Sequence, residues 1–122
     1  MTYHVIDPYD IEQTPGRPSE THYVSEAIGM NNMGLRFYDV NPGEDIPNTQ
    51  GLHYHDEQEE EFFVVSGELT VETPEETYTV PQGSFFIAEP KNAHYAYNHP
   101  DATENVTVVA IGAPSVQDGH AY

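Results

Sequence analysis

The chain has 122 residues, 21 acidic against three basic (Arg17, Arg36 and Lys91), a formal net charge of −18 and no cysteine. Three cations cannot assemble the basic patch that nucleic acid or an anionic membrane requires, and without cysteine there are neither disulfides nor thiolate metal sites. No apolar run approaches the ~20 residues of a membrane span and no basic-then-apolar leader opens the sequence, so one soluble, cytoplasmic domain is expected.

So negative a chain is either disordered or adapted to its surroundings, and its regular Val, Ile, Phe and Tyr segments argue for a fold. At ~1 M salt the Debye length shrinks to about 3 Å and self-repulsion is screened, which makes a halophilic source the expectation and a basic protein partner the alternative.

Residues 1–21 carry Pro8, Pro15, Gly16 and Pro18 and show no sustained period, which predicts an irregular arm with a short edge strand at Tyr3–Ile6. His4 in this arm reads as a surface residue. From His22 the chain becomes a series of short strand-like runs: His22–Ile28, Leu35–Val40, Gly51–His55, Glu60–Val65, Glu68–Glu72, Thr77–Val80, Ser84–Ala88, His94–Asn98 and Asn105–Ile111. Turn residues such as Asn41-Pro42-Gly43, Ser66-Gly67 and Pro81-Gln82-Gly83 separate them, and no window holds a helical period of ten residues. The expectation is an all-β sandwich or barrel over residues 22–112, followed by a loose tail at 113–122 in which His120 is disordered surface.

Glu61-Phe62-Phe63-Val64-Val65 and Ser84-Phe85-Phe86-Ile87-Ala88 are apolar on both faces. One face fills a barrel; the other needs a cover, either the arm or a second subunit, and a homodimer is expected.

His53 and His55 are i and i+2 on a strand, so their imidazoles leave the same face and can converge on one ion. Asp56, Glu57, Glu59, Glu60 and Glu61 follow. Parity sorts Glu60, Phe62 and Val64 onto one face and Glu59, Glu61, Phe63 and Val65 onto the other, without saying which is interior. In a chain this acidic the run alone also fits a solvated turn.

The wider spacing is more specific. Gly51, His53, His55, Glu60 and Gly67 are followed downstream by Gly83, His94 and Asn98. This pair of segments resembles the two conserved motifs of the cupin superfamily over about residues 35 to 111, with Asn41-Pro42-Gly43 matching the turn upstream. The resemblance implies a cupin-type jelly-roll β-barrel of two antiparallel sheets with an irregular N-terminal arm. It also places His53, His55, Glu60 and His94 at the metal-ligand positions, with Glu59 as fallback. The second motif departs from the family pattern at Glu89-Pro90-Lys91-Asn92, where Lys91 replaces a turn glycine and Asn92 is the residue suited to a positive φ.

Three imidazoles and a carboxylate suit one divalent transition metal: Fe, Mn, Ni, Co, Zn or Cu. The resemblance implies a metal-dependent enzyme on a small organic substrate, a dioxygenase or an isomerase or lyase, with Glu60 as a permanent ligand or a catalytic base. The alternative is a non-catalytic barrel that binds or senses a metabolite or metal. With His94 inward, Ala96 and Asn98 share its face, Asn98 tying the strand end; Tyr95, Tyr97 and Tyr54 point away. Phe62 and Val64 read as pocket wall or core. Leu35 and Phe37 are the natural interior residues of their strand, which leaves Arg36 outside, paired with acids. An inward Arg36 would instead grip an anionic substrate. His22 and His99 lie outside the matched positions, and His99 is expected in solvent.

Overall fold

The computed structural model describes residues 3–47 and 51–122 and folds them largely into antiparallel strands. After a 3-10 turn at Pro8–Asp10 come β1 (Glu20–Tyr23), a four-residue helix α1 (Val24–Ala27) and β2 (Gly34–Val40). Then follow β3 (His53–His55), β4 (Glu59–Ser66), β5 (Glu68–Glu72), β6 (Thr77–Pro81), β7 (Phe85–Ala88), β8 (Tyr95–Tyr97), β9 (Val106–Ala113) and β10 (Gly119–Ala121). One sheet has the order β1-β2-β9-β4-β7, a second β6-β5-β8, and β10-β3 forms a two-stranded ribbon. The ribbon meets the second sheet where His53 and His94 pair, each backbone N–H donating to the other's carbonyl at 3.1 and 2.9 Å.

The period-2 alternation of a strand settles what lies inside. Tyr38, Val40, Phe62, Val64, Val106, Val108 and Ala110 face inward from the large sheet. Leu69, Val71, Val80 and Ala96 meet them from the small sheet, with Ile46 buried among them. Asn98 ties the end of β8 as expected: buried, its amide donates to the carbonyls of Val40 at 2.9 Å and Glu104 at 3.0 Å. The β4–β5 turn needs glycine, because Gly67 sits at φ 81° and a Cβ there would lie 2.9 Å from Val106 Cα.

Several expectations are corrected. Tyr3–Ile6 forms no strand, and the run from His22 breaks after Tyr23 into α1, where the Ser25 hydroxyl accepts from Leu35 N at 2.9 Å. His22 is buried, its ring bonded to the Ile11 carbonyl at 2.8 Å and to Glu20 at 2.7 Å, which fastens the arm. Tyr9 then packs on Phe37 with ring centroids 5.2 Å apart, so the arm covers the outer face of β2. Leu35 and Phe37 therefore point outward, and Arg36 shares the inner face with Tyr38 and Val40. The tail is not loose: β10 pairs with β3 in register Gly119↔His55 and Ala121↔His53. His120 is exposed but sits on that strand, bonded to Asp56 at 2.6 Å and against the Tyr54 ring. His4 and His99 are exposed, as expected.

The arm does not reach the outer face of β4 and β7. Val65 is 43% exposed and Phe85 and Ile87 are each 58% exposed, with the Phe63 ring tilted against Phe85 at 4.7 Å between centroids.

Candidate metal centre

The site forms where the ribbon, joined to the second sheet at His94, faces the large sheet. His53 and His94 stand directly opposite in an antiparallel pair, and His55 leaves the same face of β3 two residues on. Glu60 arrives from the other sheet on the inward face of β4, in line with Phe62 and Val64. Glu59 is exposed on the opposite face and takes no part. The face that parity left open is thus the one carrying Glu60.

One donor atom from each of His53, His55, Glu60 and His94 lies within 4.8 Å of the others, a group that can hold a metal ion. The three imidazole Nε2 atoms face the Glu60 carboxylate at 3.9 Å (His53), 3.7 Å (His55) and 2.6 Å (His94). Second hydrogen bonds orient two of the rings: His94 Nδ1 to the Asn92 carbonyl at 3.0 Å, and His55 Nδ1 to Asp118 Oδ1 at 3.2 Å. With Nδ1 carrying the proton toward Asp118, His55 Nε2 is left with its lone pair. That atom is buried and has no hydrogen-bond partner, which suits it to a cation.

Electrostatics separate the members. Burial and the neighbouring His94 push His53 below the ordinary imidazole value. Burial alone would raise Glu60, yet its hydrogen bond to His94 and the charges of the three imidazoles hold it low. For His94 burial also opposes the charge, but the Glu60 carboxylate outweighs it and raises the pKa. The geometry agrees, since both His94 nitrogens face oxygens that only accept.

Two features of the site have no visible signal in the sequence, and the positive φ of the departed turn falls on a different residue from the one expected. Asp118, in the tail, orients His55, and its other oxygen accepts from the backbone of Glu57 at 2.7 Å and Gln58 at 3.1 Å. Lys91 itself adopts φ 71°, not Asn92, and its N–H donates to the His55 carbonyl at 2.6 Å, so the departed turn still braces β3. Asn92 instead donates its side-chain amide to the carbonyls of Glu89 and Pro90. Gly112 makes room for Gln58, whose amide would collide with any Cβ there.

Three of the four, His53, His55 and Glu60, line a cavity of about 920 Å³, bounded also by Arg36, Tyr38 and Phe62. Arg36, expected outside, is on this wall; its pairing with an acid does hold, Nη2 meeting Glu26 at 3.1 Å. Ala96 is buried, Tyr95 and Tyr97 are turned to the other face, and Tyr54 lies against His120.

A family model for the cupin domain matches residues 36–111. No curated protein matches the chain. Among solved structures, a polyketide cyclase from Streptomyces resistomycificus superimposes with a TM-score of 0.78 at 16% identity, over 98% of this chain and 85% of the cyclase. A predicted oxalate decarboxylase from Thermotoga maritima gives 0.73 at 16% identity, over 91% of this chain and 99% of that one. A proposed sugar phosphate isomerase from Acidithiobacillus ferrooxidans gives 0.69 at 27% identity over 82% of this chain, which spans 62% of that structure's length. The jelly-roll expectation holds.

Proposed function

The chain belongs to the cupin family, and from that premise we propose that it is a metal-dependent enzyme acting on a small organic molecule. The observation that carries the reading is His55 Nε2, a buried ring nitrogen without a partner, facing a carboxylate and two further imidazoles. His53, His55, Glu60 and His94 would hold the ion. A bound divalent transition metal supplies Lewis acidity, or redox chemistry where its identity allows.

The chain's own groups do the rest. Asp118 and the Asn92 carbonyl hold His55 and His94 in orientation, and the wall of Tyr38 and Phe62 keeps water from one side of the cavity. Glu60, kept ionised by its imidazole neighbours, is the base available to take a proton at Oε2 if it leaves the ion. Isomerase or lyase chemistry is favoured over oxygen insertion: the structural neighbours include a cyclase, a predicted decarboxylase and a proposed isomerase.

Protein purified without chelator is expected to carry one metal per chain by elemental analysis, and none at all sinks the proposal. Silence in turnover across metals and substrates favours the non-catalytic binding or sensing reading. The pH dependence has a definite sign. His94 must shed the Nε2 proton it shares with Glu60 before ligating, and its pKa is raised, so affinity starts to fall as pH drops through values above the usual ~6.5. His53, held lower, is already neutral there. Metal titrations from pH 8.5 to 5.5 check this; affinity that stays flat down to about pH 6 contradicts it.

A second copy of the chain is the proposed cover for Phe63, Val65, Phe85 and Ile87, because the arm lies against β2 instead. High salt is the proposed working environment for a charge of −18. Light scattering and thermal melts across a salt series test both. A monomer overturns the first, and a fold indifferent to salt overturns the second. No helix among the described residues is long and apolar enough to cross a membrane.

A further inference from the structure

The least expected residue on the cavity wall is Arg36. We propose that the cavity takes a small organic carboxylate, with Arg36 gripping the carboxylate while the far end of the molecule reaches the four-donor site. This rests on the metal reading above and adds the substrate class.

The sheet register supplies the layout. Arg36, Ala110 and Phe62 form one cross-strand row on the inner face, and Gly34, Gly112 and Glu60 form the next. Between Arg36 on β2 and Glu60 on β4 lies only β9, and its two inward residues here are Ala110 and Gly112, which leave the floor low. Two interstrand steps of ~4.8 Å separate the strands by roughly 10 Å, the length of a small acid with a polar group at each end. Arg36 and Glu60 thus stand on opposite sides of a shallow trough.

The guanidinium is built in. It stacks on Tyr23 at 4.7 Å from the ring centroid and lies beside the buried Tyr38 hydroxyl. It also packs over Gly34, where a Cβ would meet Nη2 at 3.4 Å and Nε at 3.5 Å. Glu26 takes Nη2 at 3.1 Å, but Nε is buried with no hydrogen-bond partner. A buried donor of this kind leaves desolvation uncompensated until a ligand fills it, and a guanidinium edge fits the two coplanar oxygens of a carboxylate.

Charge points the same way. The chain has three cations, and two of them, Arg17 and Arg36, flank Tyr23 at this cavity. In a protein of charge −18 their placement together makes the cavity mouth the place where an anion is least repelled. A carboxylate is favoured over a phosphate monoester because Glu26, Glu60 and Asp118 border the same space and a second negative charge would face them.

The test compares glutaramate, which carries a single carboxylate, with its neutral analogue glutaramide and with glycerol 3-phosphate by isothermal titration, on metal-loaded and metal-free protein. Wild type is expected to prefer glutaramate over glutaramide at least tenfold in both forms, with Arg36→Met losing the preference and Arg36→Lys keeping part of it. Equal binding of glutaramate and glutaramide by wild type overturns the proposal without any variant. So does unchanged glutaramate affinity in a folded Arg36→Met, and tighter binding of glycerol 3-phosphate overturns the substrate class. Metal content per chain is read separately on every sample. A wild type that holds no metal yet discriminates glutaramate defeats the metal reading alone; full metal without discrimination defeats this one alone.

Discussion

A protein carrying both His53→Ala and His55→Ala is expected to retain no stoichiometric metal. Two of the four donors are gone, and Glu60 and His94 are left to each other through their 2.6 Å hydrogen bond, which an incoming ion would have to break. Changing a group that merely orients a ligand typically costs 10- to 100-fold in affinity, so deleting two ligands is expected to cost at least about a thousandfold. The fold is expected to survive the change. His53 pairs with His94 through main-chain atoms, and β3 keeps its backbone register with β10. Elemental analysis together with circular dichroism separates the outcomes: a folded double variant that still carries one metal per chain means that the ligands are misassigned.

How much of this was legible beforehand differs by residue, for physical reasons. β5 is legible to its ends because Glu68–Glu72 alternates between turn residues on both sides. Strand parity, being geometric, groups Glu60, Phe62 and Val64 on one face but does not give its direction, because Phe63 and Val65 are as apolar as the residues that point inward. The same ambiguity misled on β2. Leu35 and Phe37 are apolar because the arm packs on them through Tyr9, not because they fill the barrel, and that long-range cover has no local signature. An Arg36 outside is the expectation that follows. Glu26 and the Tyr23 ring offset part of the cost of burying the guanidinium and Gly34 leaves room for it, residues scattered along the chain. β10 has no local signal because its three residues are all exposed and carry no periodicity; backbone pairing to β3 holds it. The spacing of His53, His55, Glu60 and His94 is enough to pick out the four side chains that the fold gathers, yet not what aims them.

Asp118 is where that aim is set, and Asp118→Asn is expected to weaken metal binding by about 10- to 100-fold. The carboxylate does two things with two oxygens. Oδ1 accepts from His55 Nδ1, which fixes the tautomer with Nε2 unprotonated, and Oδ2 holds the backbone of Glu57 and Gln58, which sets the turn between His55 and Glu60. Burial would raise its pKa, but the two backbone N–H groups and His55 keep it low, so the carboxylate is ionised wherever the imidazoles are neutral. An asparagine amide can keep its oxygen on the two backbone donors, but it then turns an N–H toward His55 Nδ1. The ring must answer with the opposite tautomer, placing the proton on Nε2 where the ion should sit. Asp118→Ala loses both roles and is expected to lower the melting temperature further than Asp118→Asn while weakening metal binding to a similar degree. A purely structural Asp118 predicts the reverse: affinity that tracks the loss of stability, with Asp118→Asn close to wild type in both. The Nε2 tautomer of His55, read by 15N-labelled histidine NMR on the metal-free protein, decides between them independently of metal binding. In wild type Nδ1 carries the proton, and in Asp118→Asn the proton moves to Nε2.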